Sequence, residues 1–415
     1  MKRMLLFCAS ALLLAGLAAC EPIESGDTGK DDNPYKALSV TTKQAGYIQS
    51  GNSFSFNFIN KVEAEADKDY VISPLSMQFL LGMILDGARG ATADEICTLL
   101  GYGKGEVREV NEYCLSMLRQ LPDLDKQTKL KIANAIYVDD GWPLLDSYKK
   151  DVANYYEAAV SNLDFSKTTE SAKVINKWCS DHTEGLIDHI LDETSPDMLA
   201  YLLNALYFKS QWSDKFTKSL TADEEFTYAG GGKGKVRMMK TERSMGYASG
   251  KSFEAVNLPY GNKAYSMTVL RSKDGYGVAD VTRELTTIDW NSFSGDFWFR
   301  QVELWLPRFE TRFHINLNEI LSDLGMPSAF DPKNADLTAM SDYALCLSFV
   351  NQDAVIKVDE EGTEAAAISS AGVYKNTSVA PPETPVIFHA DKPFLYLITE
   401  KSTGAVLFAG RYSGK

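Results

Sequence analysis

Apolar positions along this chain follow two different periods. In the first half they recur at helical spacing: Phe54, Phe58, Ile59 and Val62 form one stripe within NSFSFNFINKV, which predicts a helix packed on a core. Ser73 then precedes Pro74 and an apolar run through Leu75, Met77, Phe79, Leu80, Leu81, Met83, Ile84 and Leu85. A serine caps a helix, proline suits its first turn, and a helix apolar all round belongs inside a large protein. Gly87 and Gly90 end it, and Thr92 with Glu95 predicts a capping box for another helix reaching Leu100. SYKKDVANYYEAAV and SAKVINKWCSDHTEGLIDHIL predict further helices, the second stopping near Gly185.

Strand patterns take over in the second half. KLKIANAIYV (129–138) already reads as a strand, and AYLLNALYF is a continuous apolar run of the kind a buried central strand carries. Between residues 225 and 309, short alternating runs such as SMTVL, DFWFR and VELWLPRF are separated by glycine and polar turns. A helix at NLNEILSDLGM follows, then a strand predicted over the whole of LCLSFVNQDAVIKV, and a closing hairpin of PFLYLITE and AVLFAGR around Thr403-Gly404. With no internal repeat and no Pro/Ser-rich linker inside this body, the pattern predicts one mixed α+β domain at 46–415.

One stretch breaks both periods. Residues 359–391 hold an acidic, small-residue run DEEGTEAAAISSAGV, a mixed segment YKNTSVAPPETP and an apolar strand VIFHAD. Within it Thr363, Ala365, Ala367, Ser369, Ala371 and Val373 alternate with Glu364, Ala366, Ile368, Ser370, Gly372 and Tyr374. Alternate side chains of an extended chain point to opposite faces, so the first set is a small, uncharged face that a sheet can bury. The many alanines and few β-branched residues neither fix a strand nor forbid one. The segment is able to change state.

Composition narrows the partners. The chain has 415 residues, 42 basic against 56 acidic for a net charge of -14, and no cluster of Lys or Arg interleaved with aromatics, so nucleic acid is not an expected partner. Residues 1–20, MKRMLLFCASALLLAGLAAC, have a basic start, a short apolar run and small residues before Cys20. That is an export signal, too short to span a bilayer. Leu17-Ala18-Ala19-Cys20 looks like a bacterial lipobox, which implies lipidation of Cys20. Glu21 rather than Asp in the next position implies an outer-membrane lipoprotein, and the acidic tether expected at 21–45 is in keeping with surface display. Cys97, Cys114, Cys179 and Cys346 have no CxxC spacing and are read as buried thiols, with a disulfide left open.

Catalytic constellations do not emerge. G-x-S-x-G and H-E-x-x-H are missing, and the four histidines are His182, His189, His314 and His389. His182 and His189 share a helix face without a third ligand, so no metal is expected, and no cofactor. AGGGKGKV (229–236) lacks the Ser/Thr of a phosphate loop and is read as a turn between strands.

From residue 52 to 411 the chain resembles the serpins. The resemblance rests on Asn52 with Phe54 and Phe58, Ser73-Pro74-Leu75-Ser76, Gly87-Ala88 with Thr92, Asn134-Ala135, and Ile175-Asn176-Lys177-Trp178 with Thr183 and Gly185. It continues through Asn204-Ala205-Leu206-Tyr207-Phe208-Lys209 with Trp212, Leu258-Pro259-Tyr260, Leu306-Pro307-Arg308-Phe309, residues 360–367, Lys392-Pro393-Phe394-Leu395 and Leu407-Phe408-Ala409-Gly410-Arg411. It implies a metastable domain of three β-sheets and about nine helices, with a reactive loop at about 360–385 exposed as bait for a protease. A target serine or cysteine protease would cut the loop, and the cut loop would insert into the large sheet before the acyl-enzyme is released. Such a protein is a suicide substrate with no catalytic residues of its own.

The resemblance assigns the hinge to Glu361, Gly362, Thr363, Glu364, Ala365, Ala366 and Ala367, and the cut to Tyr374, Lys375, Asn376 and Thr377. Counting from Gly362 places it at Asn376-Thr377, whereas Lys375 would suit the acidic pocket of a trypsin-like protease and Tyr374 a chymotrypsin-like one. Lys375 is the favoured specificity residue. Ser73, Ser76, Asn204, Trp212 and Gln352 are expected to form a polar cluster where the sheet opens, with Gln352 standing where many animal serpins carry His. Ser210 replaces the Gly that often follows Phe-Lys. A monomer is expected. Two other readings stay open: a non-inhibitory serpin that binds or carries a ligand, and a surface nutrient-binding lipoprotein.

Overall fold

The structure, a computed structural model, describes residues 32–363 and 384–414. Cys20, Glu364, Ala365, Ala366, Ala367, Tyr374, Lys375, Asn376 and Thr377 lie outside the described residues. Among those described there are nine α-helices: α1 (Thr42–Glu65), α2 (Pro74–Gly87), α3 (Gly90–Leu100), α4 (Val107–Gln120), α5 (Asp146–Tyr155), α6 (Thr168–His182), α7 (Val278–Leu285), α8 (Trp290–Gly295) and α9 (Asn318–Asp323).

Ser73 caps α2 by accepting from the Ser76 amide, Pro74 opens it, and all its residues are buried. This apolar helix touches strands of both sheets described below. Its burial is what the all-round apolar pattern demands.

Two antiparallel-rich sheets flank it. The first runs in the order β10 (Phe309–Asn316), β11 (Asn351–Val358), β12 (Gly362–Thr363), β4 (Ala200–Gln211), β2 (Lys129–Asp139) and β3 (Ala159–Leu163). The second runs β1 (Tyr70–Ile72), β15 (Val406–Tyr412), β14 (Phe394–Glu400), β8 (Tyr265–Ser272), β7 (Phe253–Tyr260), β6 (Lys233–Ser249), β9 (Trp298–Pro307) and β13 (Val386–His389), with β5 (Ala222–Thr227) also on β6. Two of the three implied sheets are therefore continuous here. β6 pairs with β5 from Lys233 to Met238, with β9 from Met238 to Tyr247 and with β7 from Gly246 to Ser249.

Four local expectations are corrected. The first helix begins at Thr42, ten residues before Asn52, because Thr41 and Gln44 form a capping box. The expected tether therefore does not extend to residue 45: residues from Asn33 onward belong to the compact unit, and Leu38 is buried. The α3 cap is Arg89 rather than Thr92. Thr92 Oγ1 instead accepts from the Asp336 amide and Glu95 from the Ser328 amide, so both tie α3 to a distant loop. Finally, LCLSFVNQDAVIKV is a strand only from Asn351 to Val358. Of the run at 229–236, residues 229–232 lie in the turn joining β5 to β6, as read, while Lys233 to Val236 already belong to β6. Cys97, Cys114 and Cys179 are buried free thiols, Cys346 is free but only half-buried rather than buried, and burial pushes Cys114 up to about 12.

Candidate functional site

The strand β4 is hydrogen-bonded to β2 from Lys209 to Ala200 along one edge. Along its other edge it meets only β12, at Gly362 opposite Gln211 and Thr363 opposite Ser210. The facing strand β11 is bonded to β10 throughout and reaches β12 only at Val358. Among the described residues no other strand separates β4 from β11. Below β12 lies a cavity of about 300 Å³ walled by Leu80, Leu203, Asn204, Phe349 and Gln352. Facing strand edges without a strand partner form a template for one more strand. The same gap explains why LCLSFV forms no strand.

Of the expected hinge, the described residues Glu361, Gly362 and Thr363 lie at the head of this gap. Gly362 has φ 153°, and a Cβ there would come within 2.1 Å of Ser210 O, so only glycine fits. Thr363 is 2% exposed, with Oγ1 2.6 Å from the Tyr260 hydroxyl. Its burial agrees with the face read from the alternation at 363–373. Glu361 pairs with Lys215 at 2.7 Å and Lys218 at 2.9 Å. Hydrogen bonds from Lys215 and then Lys218 hold its carboxyl below the usual glutamate range. Glu360 accepts from Thr221 Oγ1 at 2.7 Å and lies 3.5 Å from Arg308. Sequence reading missed these partners, since nothing in KFTKSL marks Lys215 and Lys218 as neighbours of a residue more than a hundred positions away.

Trp212 also belongs here. Its amide donates to Glu361 O (2.8 Å), its indole Nε1 donates to Asp359 O (2.9 Å), and its ring stacks on Tyr260 at 4.4 Å. The expectation that it joins Ser73 is thus corrected. Trp212 sits eight residues beyond Asn204, roughly 26 Å along a strand.

The remaining four cluster residues do come together. Gln352 Nε2 donates to Ser73 O and its Oε1 accepts from the Ser73 amide, both at 2.9 Å. Ser73 Oγ donates to Leu407 O (2.8 Å), and Ser76 Oγ donates to Asn204 Oδ1. The chain continues through Asn204 Nδ2 to Asn134 Oδ1 and Asn134 Nδ2 to Tyr156 O, each 2.6 Å. Gln352 is effective because an amide side chain both donates and accepts. His182 Nδ1 lies 2.7 Å from Trp178 O while His189 Nε2 faces Asp192 at 3.0 Å, so the two histidines have separate partners.

A sheet open between two central strands, with Gly362 and Thr363 turned into its head, defines a class of protein whose sheet has room for one more strand. The chain belongs to the serpin family: the model described as "Serpin (serine protease inhibitor)" matches residues 49–414. Serpin B6 of Macaca fascicularis is 31% identical over 375 residues, covering 88% of this chain and 98% of the relative. Iripin-2 of Ixodes ricinus is 30% identical over 380 residues, covering 90% and 95%. Among solved structures, the thermophilic serpin tengpin in its native state is similar with TM-score 0.81 and 27% identity over 92% of this chain and 97% of that one. Human thyroxine-binding globulin complexed with its hormone has TM-score 0.79 and 25% identity over 89% and 98%.

Proposed function

We propose that the protein is a suicide-substrate inhibitor of serine, and also cysteine, endopeptidases, acting by insertion of its cut loop between β4 and β11. The observation that carries this reading is the seated hinge: Gly362 and Thr363 occupy the head of a gap whose two edges lack strand partners. The protease nucleophile attacks the carbonyl of the scissile residue, the amine side leaves, and the loop remains esterified to the enzyme. Each further loop residue that pairs with β4 and β11 advances the attached protease by about 3.3 Å, on the order of 50 Å for fifteen residues. The inserted face, continuing Thr363 through Ala365, Ala367, Ser369, Ala371 and Val373, carries no charge to bury.

Cleavage falls within residues 374–377, with Lys375 directing trypsin-like proteases. Incubation with trypsin-, elastase- and papain-like proteases followed by denaturing electrophoresis tests the reading. A covalent complex is expected; complete cleavage with the protease still active at every ratio defeats it.

The chain is also proposed to be an exported lipoprotein held at the outer membrane through Cys20. Radiolabelled palmitate should enter the full chain and not the Cys20→Ser variant. A carrier role has one observation in its favour, a cavity of about 700 Å³ walled by Ile48, Arg243, Trp290 and Phe297, large enough for a drug-sized ligand. The similarity to a hormone-binding globulin adds to it. Cleavage without trapping, together with saturable binding of an apolar probe, is the outcome this second reading requires.

A further inference from the structure

Ser210, the residue standing where glycine often follows Phe-Lys, lies opposite Thr363 in the sheet. Its Oγ is 2.7 Å from Thr128 Oγ1, and Thr128 Oγ1 donates to Asp125 Oδ2 at 2.6 Å. A hydroxyl has one proton, so Thr128 gives its own to the carboxylate and accepts from Ser210. Asp125 is 1% exposed. Its Oδ1 accepts from Asn33 Nδ2 (2.6 Å) and from the Gln127 amide (2.9 Å). A buried carboxylate is tolerated only when its lone pairs are filled in this way.

A second branch leaves the same carboxylate. Gly261 has φ +43°, and a Cβ on it would come within 2.0 Å of Asp125 Oδ2, so the glycine backbone lies directly against Asp125. The Gly261 amide donates to Gln211 O at 2.9 Å. Gln211 is the residue paired with Gly362. Both branches from Asp125 therefore end on the two residues of β4 that hold the hinge. At the other end, Asn33 is fixed by accepting from the Lys126 amide (2.9 Å), and Asn262 Nδ2 donates to both Pro34 O (3.0 Å) and Leu124 O (2.8 Å).

We propose that Asp125 is a positioning residue for the hinge. With Asn33, Thr128 and Ser210 it keeps the head of β4 in the register that seats Gly362 and Thr363, and it couples Asn33 to the start of loop insertion. The effect on inhibition rests on the insertion reading; the effect on the seat of the hinge does not. Loosening the Asn33 or Thr128 link leaves part of a buried carboxylate unfilled, loosening the Ser210 link frees β4 from Thr128, and in each case the head of β4 shifts.

The test uses the full chain and its Asn33→Ala, Ser210→Ala, Asp125→Asn and Ser210→Thr variants. Hydrogen exchange is read at the Trp212 and Gly261 amides, which donate to Glu361 and Gln211. Two further readouts are the rate of trypsin cleavage in the loop and the moles of inhibitor consumed per mole of trypsin trapped. Exchange at both amides is expected to rise on the order of tenfold in Asn33→Ala, the worth of one hydrogen bond to a charged group. Ser210→Ala should match it, the double variant should add little, and Ser210→Thr should restore protection. Consumption should rise while the cleavage rate stays constant. Unchanged exchange in both Asn33→Ala and Ser210→Ala overturns the proposal, as does a lowered melting temperature without a change at these amides. Asn33→Ala is included because its carboxamide lies at the domain edge, outside the hydrophobic core. If even the natural chain traps no protease, the insertion reading falls, and the exchange data alone still decide the positioning role.

Discussion

In the larger sheet β14 is bonded to β8 on one side and β15 on the other along its length, and all of its residues are buried. In the smaller sheet β4, a longer strand, is bonded along one edge, while on the other it meets only the two residues of β12. Both strands are central, but β14 is buried throughout while β4 mixes buried and half-buried positions. A second difference lies in hydrogen bonding: β14 is paired on both sides, and the other sheet leaves two facing edges without a strand partner among the described residues. Stability is thus concentrated in one sheet and withheld from the other.

Substitutions on the two sheets should separate these roles. The largest effect is expected from Thr363→Arg, which would bury a guanidinium beside Tyr260 at the head of the gap. A buried unpaired charge costs several kcal/mol, so electrophoresis should show the covalent complex replaced by cleaved product. Leu397→Ala, in the satisfied sheet, should cost about 2–5 kcal/mol and lower the melting temperature of intact and cut protein alike, because β14 is the same in both. Gln352→Ala strands the Ser73 amide and leaves its carbonyl with the Met77 amide alone, and should cost about 1–3 kcal/mol in chemical denaturation while slowing insertion.

The smallest effect concerns pH. Glu361 is held below its ordinary range by Lys215 and Lys218, so its contribution is present above the unfolded value of about 4.3 and fades as pH falls through the lower folded value. Hinge protection in the natural chain should weaken under acid at that point, and in Glu361→Gln the acid dependence should shrink. Equal acid dependence in both would remove Glu361 from the hinge.

Much of this was legible in the residues. Ser73 before Pro74 announced the cap of α2, and the uncharged alternation at 363–373 identified the face on which Thr363 is found buried. Gln352 was expected beside Ser73 because its amide can both give and take a hydrogen bond. The gap was not legible: hydrophobicity marks LCLSFVNQDAVIKV as able to form a strand, but not that Leu345 to Val350 would lack a neighbour to pair with. Trp212 was misplaced for a related reason, since β4 runs through both clusters and sequence proximity to Asn204 does not say which end a residue serves. The segment at 33–41 was polar enough to read as tether, while its anchor Asp125 lies 92 positions from Asn33.

The most direct measurement compares thermal melting of the intact protein with that of protein cut within residues 374–377 and left uncomplexed. If the loop becomes the strand missing between β4 and β11, roughly ten new ladder bonds of about 1 kcal/mol each should raise the melting temperature by at least about 10 °C. An equal or lower melting temperature after the cut would contradict the account, since it would mean that the gap stays open when the loop is free to fill it.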